Sequence, residues 1–176
     1  PKCRVAFIGP CAAKKLEASR RSVRSEVDFV LTFEELRGMF EAKNIDFSQI
    51  PDVPSHFEAS APGVGFAASG GVAKAVEEVI EKLEPGRQVK TVYAEGLREC
   101  RQMLRVARTG KYDGYLLEGM ACPGGCIAGA GTLRPIEQSH KEVEAFSSEA
   151  KFTCANDTPY MDYLPLIEEK DKIRKL

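Results

Sequence analysis

Residues 115–131 read Tyr-Leu-Leu-Glu-Gly-Met-Ala-Cys-Pro-Gly-Gly-Cys-Ile-Ala-Gly-Ala-Gly, an apolar run that empties into a glycine-rich turn holding Cys122 and Cys126. The run from Tyr115 to Leu117 is short and apolar, which reads as a strand. Upstream, Leu97 to Arg108 has the spacing of an amphipathic helix closed by Gly110, and Val89 to Glu95 alternates as a strand does. Strand, helix, strand is the pattern of a βαβ unit. The two cysteines therefore sit just past the end of a strand.

The amino-terminal part offers a second strand end. Cys3 to Ile8 is apolar and partly β-branched, and Gly9-Pro10 closes it, so it reads as a buried strand that leaves Cys11 in the following loop. Ala12 to Arg24 has helical composition, and Asp28 to Leu31 gives another short strand. Thr32 followed by Glu35 has the form of a capping box, which predicts a helix over Phe33 to Lys43 burying Leu36, Met39 and Phe40. Asn44 to Pro62 holds three prolines and little periodicity and reads as a surface excursion. Val72 to Leu83 is predicted helical with Val72, Val76, Val79, Ile80 and Leu83 on one face, ended by Pro85-Gly86. A further helix is expected from Pro135 to Ala150. Thr158-Pro159 supplies an N-cap and first-turn proline for a last helix, whose charged residues from Glu168 to Lys175 form a solvated face. The order predicts an α/β fold, a single domain over 1–176 with a mostly parallel sheet flanked by helices.

Charge and length exclude several functions. Twenty-five Lys and Arg against twenty-six Asp and Glu leave no basic excess to neutralise a phosphate backbone, so nucleic acid is not an expected partner. No apolar run is long enough to cross a bilayer, and no export signal opens the chain, which predicts a cytoplasmic protein without membrane insertion. The start at Pro1 reads as a piece of a longer chain. Six cysteines in such a setting argue more for metal ligation by a subset than for disulfides. Gly63-x-Gly65-x-x-Ala68 has a superficial likeness to a dinucleotide loop, but Pro54, His56 and Pro62 precede it where a buried strand is required.

Two cysteines four positions apart can share one side of a helical turn and meet a single inorganic cluster. Gly124, Gly125, Gly129 and Gly131 would let backbone approach a bulky cofactor and aim amides at its sulfides. The alternatives are a flexible turn with two incidental thiols, or half of a zinc site. Zinc favours tighter Cys-x-x-Cys pairs, and His56 and His140 lie outside any such spacing. In Gly9-Pro10-Cys11-Ala12-Ala13-Lys14-Lys15-Leu16-Glu17, a lysine follows the cysteine by three positions and could donate to anionic groups on a metal. Taken alone the signal is weak: Lys14 is more often a solvated charge and Cys11 a small core residue. Cys3, Cys100 and Cys154 have no ligand spacing and read as core or incidental thiols.

Together these segments resemble the iron-only ([FeFe]) hydrogenase large subunit. Its second signature, Met-Pro-Cys-x-x-Lys-x-x-Glu, is matched by Pro10, Cys11, Lys14 and Glu17. Its third, Glu-x-Met-Ala-Cys-x-Gly-Gly-Cys-x-x-Gly-Gly-Gly, is matched by Glu118, Met120, Ala121, Cys122, Gly124, Gly125, Cys126, Gly129 and Gly131. Asp28 to Thr32 and Ser69 to Val72 also resemble family sequence. The resemblance implies one lobe of the hydrogenase active-site domain. It implies Cys11, Cys122 and Cys126 as thiolates on a [4Fe-4S] cluster, with Cys126 bridging to a di-iron subsite carrying CO, cyanide and a dithiolate. Lys14 would bond a cyanide there and Met120 would pack beside it. Hydrogen would be split at the distal iron while the dithiolate amine takes the proton. The implied partners are the remainder of the hydrogenase chain, accessory iron-sulfur domains and an electron carrier such as ferredoxin.

The sequence departs from the family at three places. The first signature, Thr-Ser-Cys-Cys-Pro, which supplies the fourth ligand and a proton-relay cysteine, is absent, so the fragment alone is expected to be inactive and to purify without metal. Gly9 stands in place of the usual Met, opening space beside the subsite and pointing toward sensory branches. Ala130 interrupts the closing glycine triplet, and Thr132-Leu133 stands where Gln-Pro is common. The family's eukaryotic relatives that serve in cluster assembly keep similar cysteines, which leaves a non-hydrogenase role as the alternative.

Overall fold

The computed structural model describes residues 3–20, 22, 26–51 and 58–165. Among the described residues, four short strands form two separate parallel pairs rather than one sheet. Strand β1 (Ala6–Gly9) pairs with β2 (Phe29–Thr32), and β3 (Lys90–Glu95) pairs with β4 (Tyr115–Met120). Each parallel pair needs a crossover. Helix α1 (Ala13–Ser19) links the first two strands, and α5 (Leu97–Ala107) links the second two. The expected βαβ unit is present, and β4 runs three residues further than its apolar run, through Glu118-Gly119-Met120.

Helix α2 (Phe33–Ala42) begins at the anticipated capping box. The Glu35 amide donates to Thr32 Oγ1 at 3.2 Å, and the Thr32 amide donates to Glu35 Oε2 at 2.9 Å. It half-buries Leu36 and Phe40, but Met39 is 52% exposed, against expectation. The chain then passes an exposed 3-10 turn (Phe47–Gln49) and enters α3 (Ala61–Gly65), a short helix that its two glycines and proline did not advertise. It forms because Ser60 Oγ caps the Gly63 amide at 3.2 Å and the Ala61 amide bonds the Phe152 carbonyl at 2.8 Å.

Helix α4 (Gly71–Leu83) packs on α3 and β4 through its small residues. Ala73 and Ala75, on either side of the aliphatic stripe, are buried; within the stripe Val72, Val79 and Ile80 are half-buried, whereas Val76 is exposed and Leu83 is 66% exposed. Small side chains at its flanks allow close approach of helix and strand. Helix α6 (Ile136–Ser148) rests on α3 and on the 3-10 turn Cys126–Ala128. Past it, Thr158 opens a 3-10 turn (Pro159–Tyr163), with its hydroxyl bonded back to the Ala155 carbonyl instead of capping forward. The predicted segment 168–175 lies outside the described residues, as does His56.

The strand from Cys3 to Ile8 differs from expectation too: β1 starts at Ala6, and Val5 and Ile8 are exposed. Among the described residues no large side chain is fully buried. No described helix is long and apolar enough to cross a membrane.

Candidate functional site

Both cysteine segments leave the carboxyl ends of strands. Cys11 follows β1 at the entrance to α1 and is half-buried; Cys122 follows β4 and is half-buried; Cys126 opens the 3-10 turn and keeps exposed surface. The two segments are tied together directly. The Gly131 amide donates to the Pro10 carbonyl at 2.9 Å, and the Glu34 amide donates to the Gly131 carbonyl at 3.3 Å. A Cβ on Gly129 would collide with the Pro10 carbonyl, and one on Gly131 with the Thr32 side chain. The closing glycines thus let the third segment lie against the second. Ala130, between them, points outward and is exposed, so its methyl group is accommodated.

Cys122 and Cys126 do not share a helical turn. Gly124 and Gly125 both have positive φ, 91° and 90°, a conformation that breaks the helix between the cysteines. A side chain on Gly125 would stand 2.5 Å from the Ser69 nitrogen. The loop is pressed onto residues 67–69, with the Ser69 amide on the Gly124 carbonyl at 3.2 Å and the Ile127 amide on the Ala67 carbonyl at 3.0 Å. The four glycine amides expected to face sulfides have protein acceptors instead. Gly124 donates to Glu95 Oε2, Gly125 to Cys122, Gly129 to Cys126 and Gly131 to Pro10. The glycines serve backbone packing against backbone.

The Cys126 thiol feels both of the other cysteines. Desolvation pushes the Cys126 thiol above its ordinary value, the negative forms of Cys11 and Cys122 push it further, and the Lys14 ammonium opposes them. Among the described residues, no three of the His, Cys, Asp or Glu side chains close on a point as a single ion requires. A cubane is larger than an ion and takes its thiolates from around its periphery, so the lack of a single-ion site does not bear on a cluster. Lys14 Nζ donates to Glu17 Oε2 at 2.6 Å, which explains the glutamate three positions on. Gly9 does not open free space: a Cβ there would stand 2.8 Å from the Phe7 ring, which lies on the same strand face two residues back.

Of the other cysteines, Cys154 is buried and Cys3 exposed. Cys100 is half-buried, its thiol 3.5 Å from the Ala94 carbonyl and 3.6 Å from the Met120 carbonyl. Met120 is half-buried at the end of β4, and its carbonyl also takes the Gly96 amide at 2.8 Å. His140 lies on α6, 3.5 Å from Glu144.

The family described as iron only hydrogenase large subunit, C-terminal domain, matches residues 1–130. The chain belongs to this family. Among curated relatives, the NADP-reducing hydrogenase subunit HndD of Solidesulfovibrio fructosivorans is 29% identical, over 87% of this chain and 31% of its own length. The periplasmic [Fe] hydrogenase large subunit of Nitratidesulfovibrio vulgaris is 29% identical, over 70% and 37%. The cytosolic Fe-S cluster assembly factor narfl of Danio rerio is also 29% identical, over 96% and 53%. This iron-only hydrogenase family chain therefore spans about a third to about half of such relatives. A solved structure described as revealing stepwise [FeFe]-hydrogenase H-cluster assembly superposes with a TM-score of 0.61 at 20% identity, covering 92% of this chain and 57% of that one. A variant of HydA1 from Chlamydomonas reinhardtii gives 0.62 at 19%, covering 92% and 58%. These likenesses establish the shared fold.

Proposed function

We propose that this chain is part of the active-site domain of an [FeFe] hydrogenase that catalyses reversible oxidation of hydrogen and reduction of protons. Cys11, Cys122 and Cys126 hold the [4Fe-4S] cluster, Cys126 also carries the di-iron subsite, and Gly124 and Gly125 shape the loop between two of the ligands. Lys14 and Met120 border the subsite. The observation that carries this reading is the clasp between the Gly131 amide and the Pro10 carbonyl, which draws strand ends from two different parallel pairs to one place. The influence of Cys11 and Cys122 on the Cys126 thiol supports it.

The group supplies the redox chemistry when bound, and the protein's share is holding and tuning it. The cysteines contribute thiolates. Glu17 holds the Lys14 ammonium, a point charge with two further donors to offer an anionic ligand. The remainder of the domain supplies the fourth ligand and the proton relay, accessory clusters and a ferredoxin-type carrier bring electrons, and the chain alone is inactive. The protein works in the cytoplasm.

Infrared spectra of the maturated full-length protein test this: bands of bound CO and cyanide are expected. Cubane signals without those bands favour the second reading, a cluster-assembly role, which the match to the narfl factor over 96% of the chain supports. A third reading, a regulatory protein that senses hydrogen, rests on Gly9 in place of the family's methionine.

A further inference from the structure

Glu95 lies outside both cysteine signatures. It ends β3 directly opposite Met120 in the parallel register. Its Oε2 accepts the Gly124 amide at 2.8 Å, and that amide, with the Ser69 side chain beside it, holds the carboxyl below its ordinary value. Ser69 in turn donates its amide to the Gly124 carbonyl. The left-handed backbone at Gly124 takes its N–H out of any regular ladder, so a side chain must accept it. A carboxylate is acceptor-only and can take both donors at once.

We infer that Glu95 is a positioning residue for the cluster: it clamps the Cys122-to-Cys126 loop onto the Ser69 turn, and its negative charge lowers the reduction potential of the group that loop holds. This rests on the cluster-binding reading above. Local charge is one of the levers that set cluster potentials, and an anion nearby favours the oxidised form. Glutamine can keep both contacts, its carbonyl accepting from Gly124 and its amide donating to the Ser69 hydroxyl, while removing the charge. Alanine keeps neither.

The test compares full-length wild type, Glu95→Gln and Glu95→Ala in two measurements. Amide exchange over residues 122–126 is followed in metal-free protein by mass spectrometry, and the cluster potential is followed in reconstituted protein by redox titration. Glu95→Ala is expected to speed loop exchange about fivefold or more, the worth of one net hydrogen bond. Glu95→Gln should stay within about twofold of wild type, because its contacts survive. Both should titrate at a more positive potential. Unchanged exchange in Glu95→Ala overturns the clamp, and an unchanged potential in Glu95→Gln overturns the electrostatic role. A protein that takes up no iron in any form, yet shows the exchange pattern, overturns the cluster reading and the electrostatic role while upholding the clamp.

Discussion

Glu118 holds the amide of Ala73 at 2.7 Å across 45 positions, a buried carboxylate capping a helix to which it does not belong. Its other oxygen takes the Gly70 amide at 2.8 Å, so both oxygens meet the amino end of α4, where the helix dipole favours negative charge. Glu118→Ala leaves two amides without acceptors and should cost roughly 3 kcal/mol. Glu118→Gln retains one acceptor and should cost less. Urea midpoints at neutral pH decide the order, and equal midpoints for alanine and wild type would remove the cap from the account.

The closing glycines make a second prediction. Gly131→Val drives a side chain into Thr32, and overpacking of this kind costs about 1–3 kcal/mol. Ala130→Gly, at an exposed position between the two contacts, should change stability by less than about 1 kcal/mol, glycine's added backbone entropy being its main effect. Thermal melts of the two variants should therefore separate clearly.

Whether the sulfurs converge can be tested without metal. Cys11→Ser or Cys122→Ser removes a like charge beside Cys126 and should lower the pH at which Cys126 becomes alkylated, whereas Lys14→Met removes the opposing ammonium and should raise it. The readout is the pH profile of labelling at Cys126 by mass spectrometry. A profile indifferent to all three changes would separate the cysteines.

Acid stability gives a fourth. The Lys15 ammonium and the Thr32 amide hold the Glu35 carboxyl below its ordinary value, and the Val5 amide with Arg4 does the same for Asp28. A carboxyl whose folded pKa is depressed contributes stability above its unfolded value, and that contribution disappears as pH falls through the folded one. Glu35→Gln and Asp28→Asn should flatten the fall in stability below about pH 4.5 and leave its slope near neutrality unchanged. Denaturant midpoints across that range provide the check.

Local features were the readable ones. The α2 start was visible because a capping box is written within four residues, and the crossover from β3 to β4 because periodicity changes along it. The α3 helix was invisible: its partners, Ser60 and Phe152, mix a local cap with a distant carbonyl. At the site, the placement of Cys11 and Cys122 just past strand ends was legible from the apolar runs before them, but the work of the glycines was not. Composition shows that backbone can come close to something there; only the fold reveals that the something is Pro10, Thr32 and Ser69. Glu95 carried no signal, since its partner Gly124 lies 29 positions away.

The Pro10–Gly131 bond also orders events in time. Contacts between segments so distant along the chain close slowly, because a large loop must be fixed before any gain is returned, whereas each crossover unit can form from neighbouring residues. A nascent polypeptide emerging from the ribosome thus carries Cys11 long before its companions exist. A group that needed all three cysteines could be inserted only after synthesis had passed the third segment.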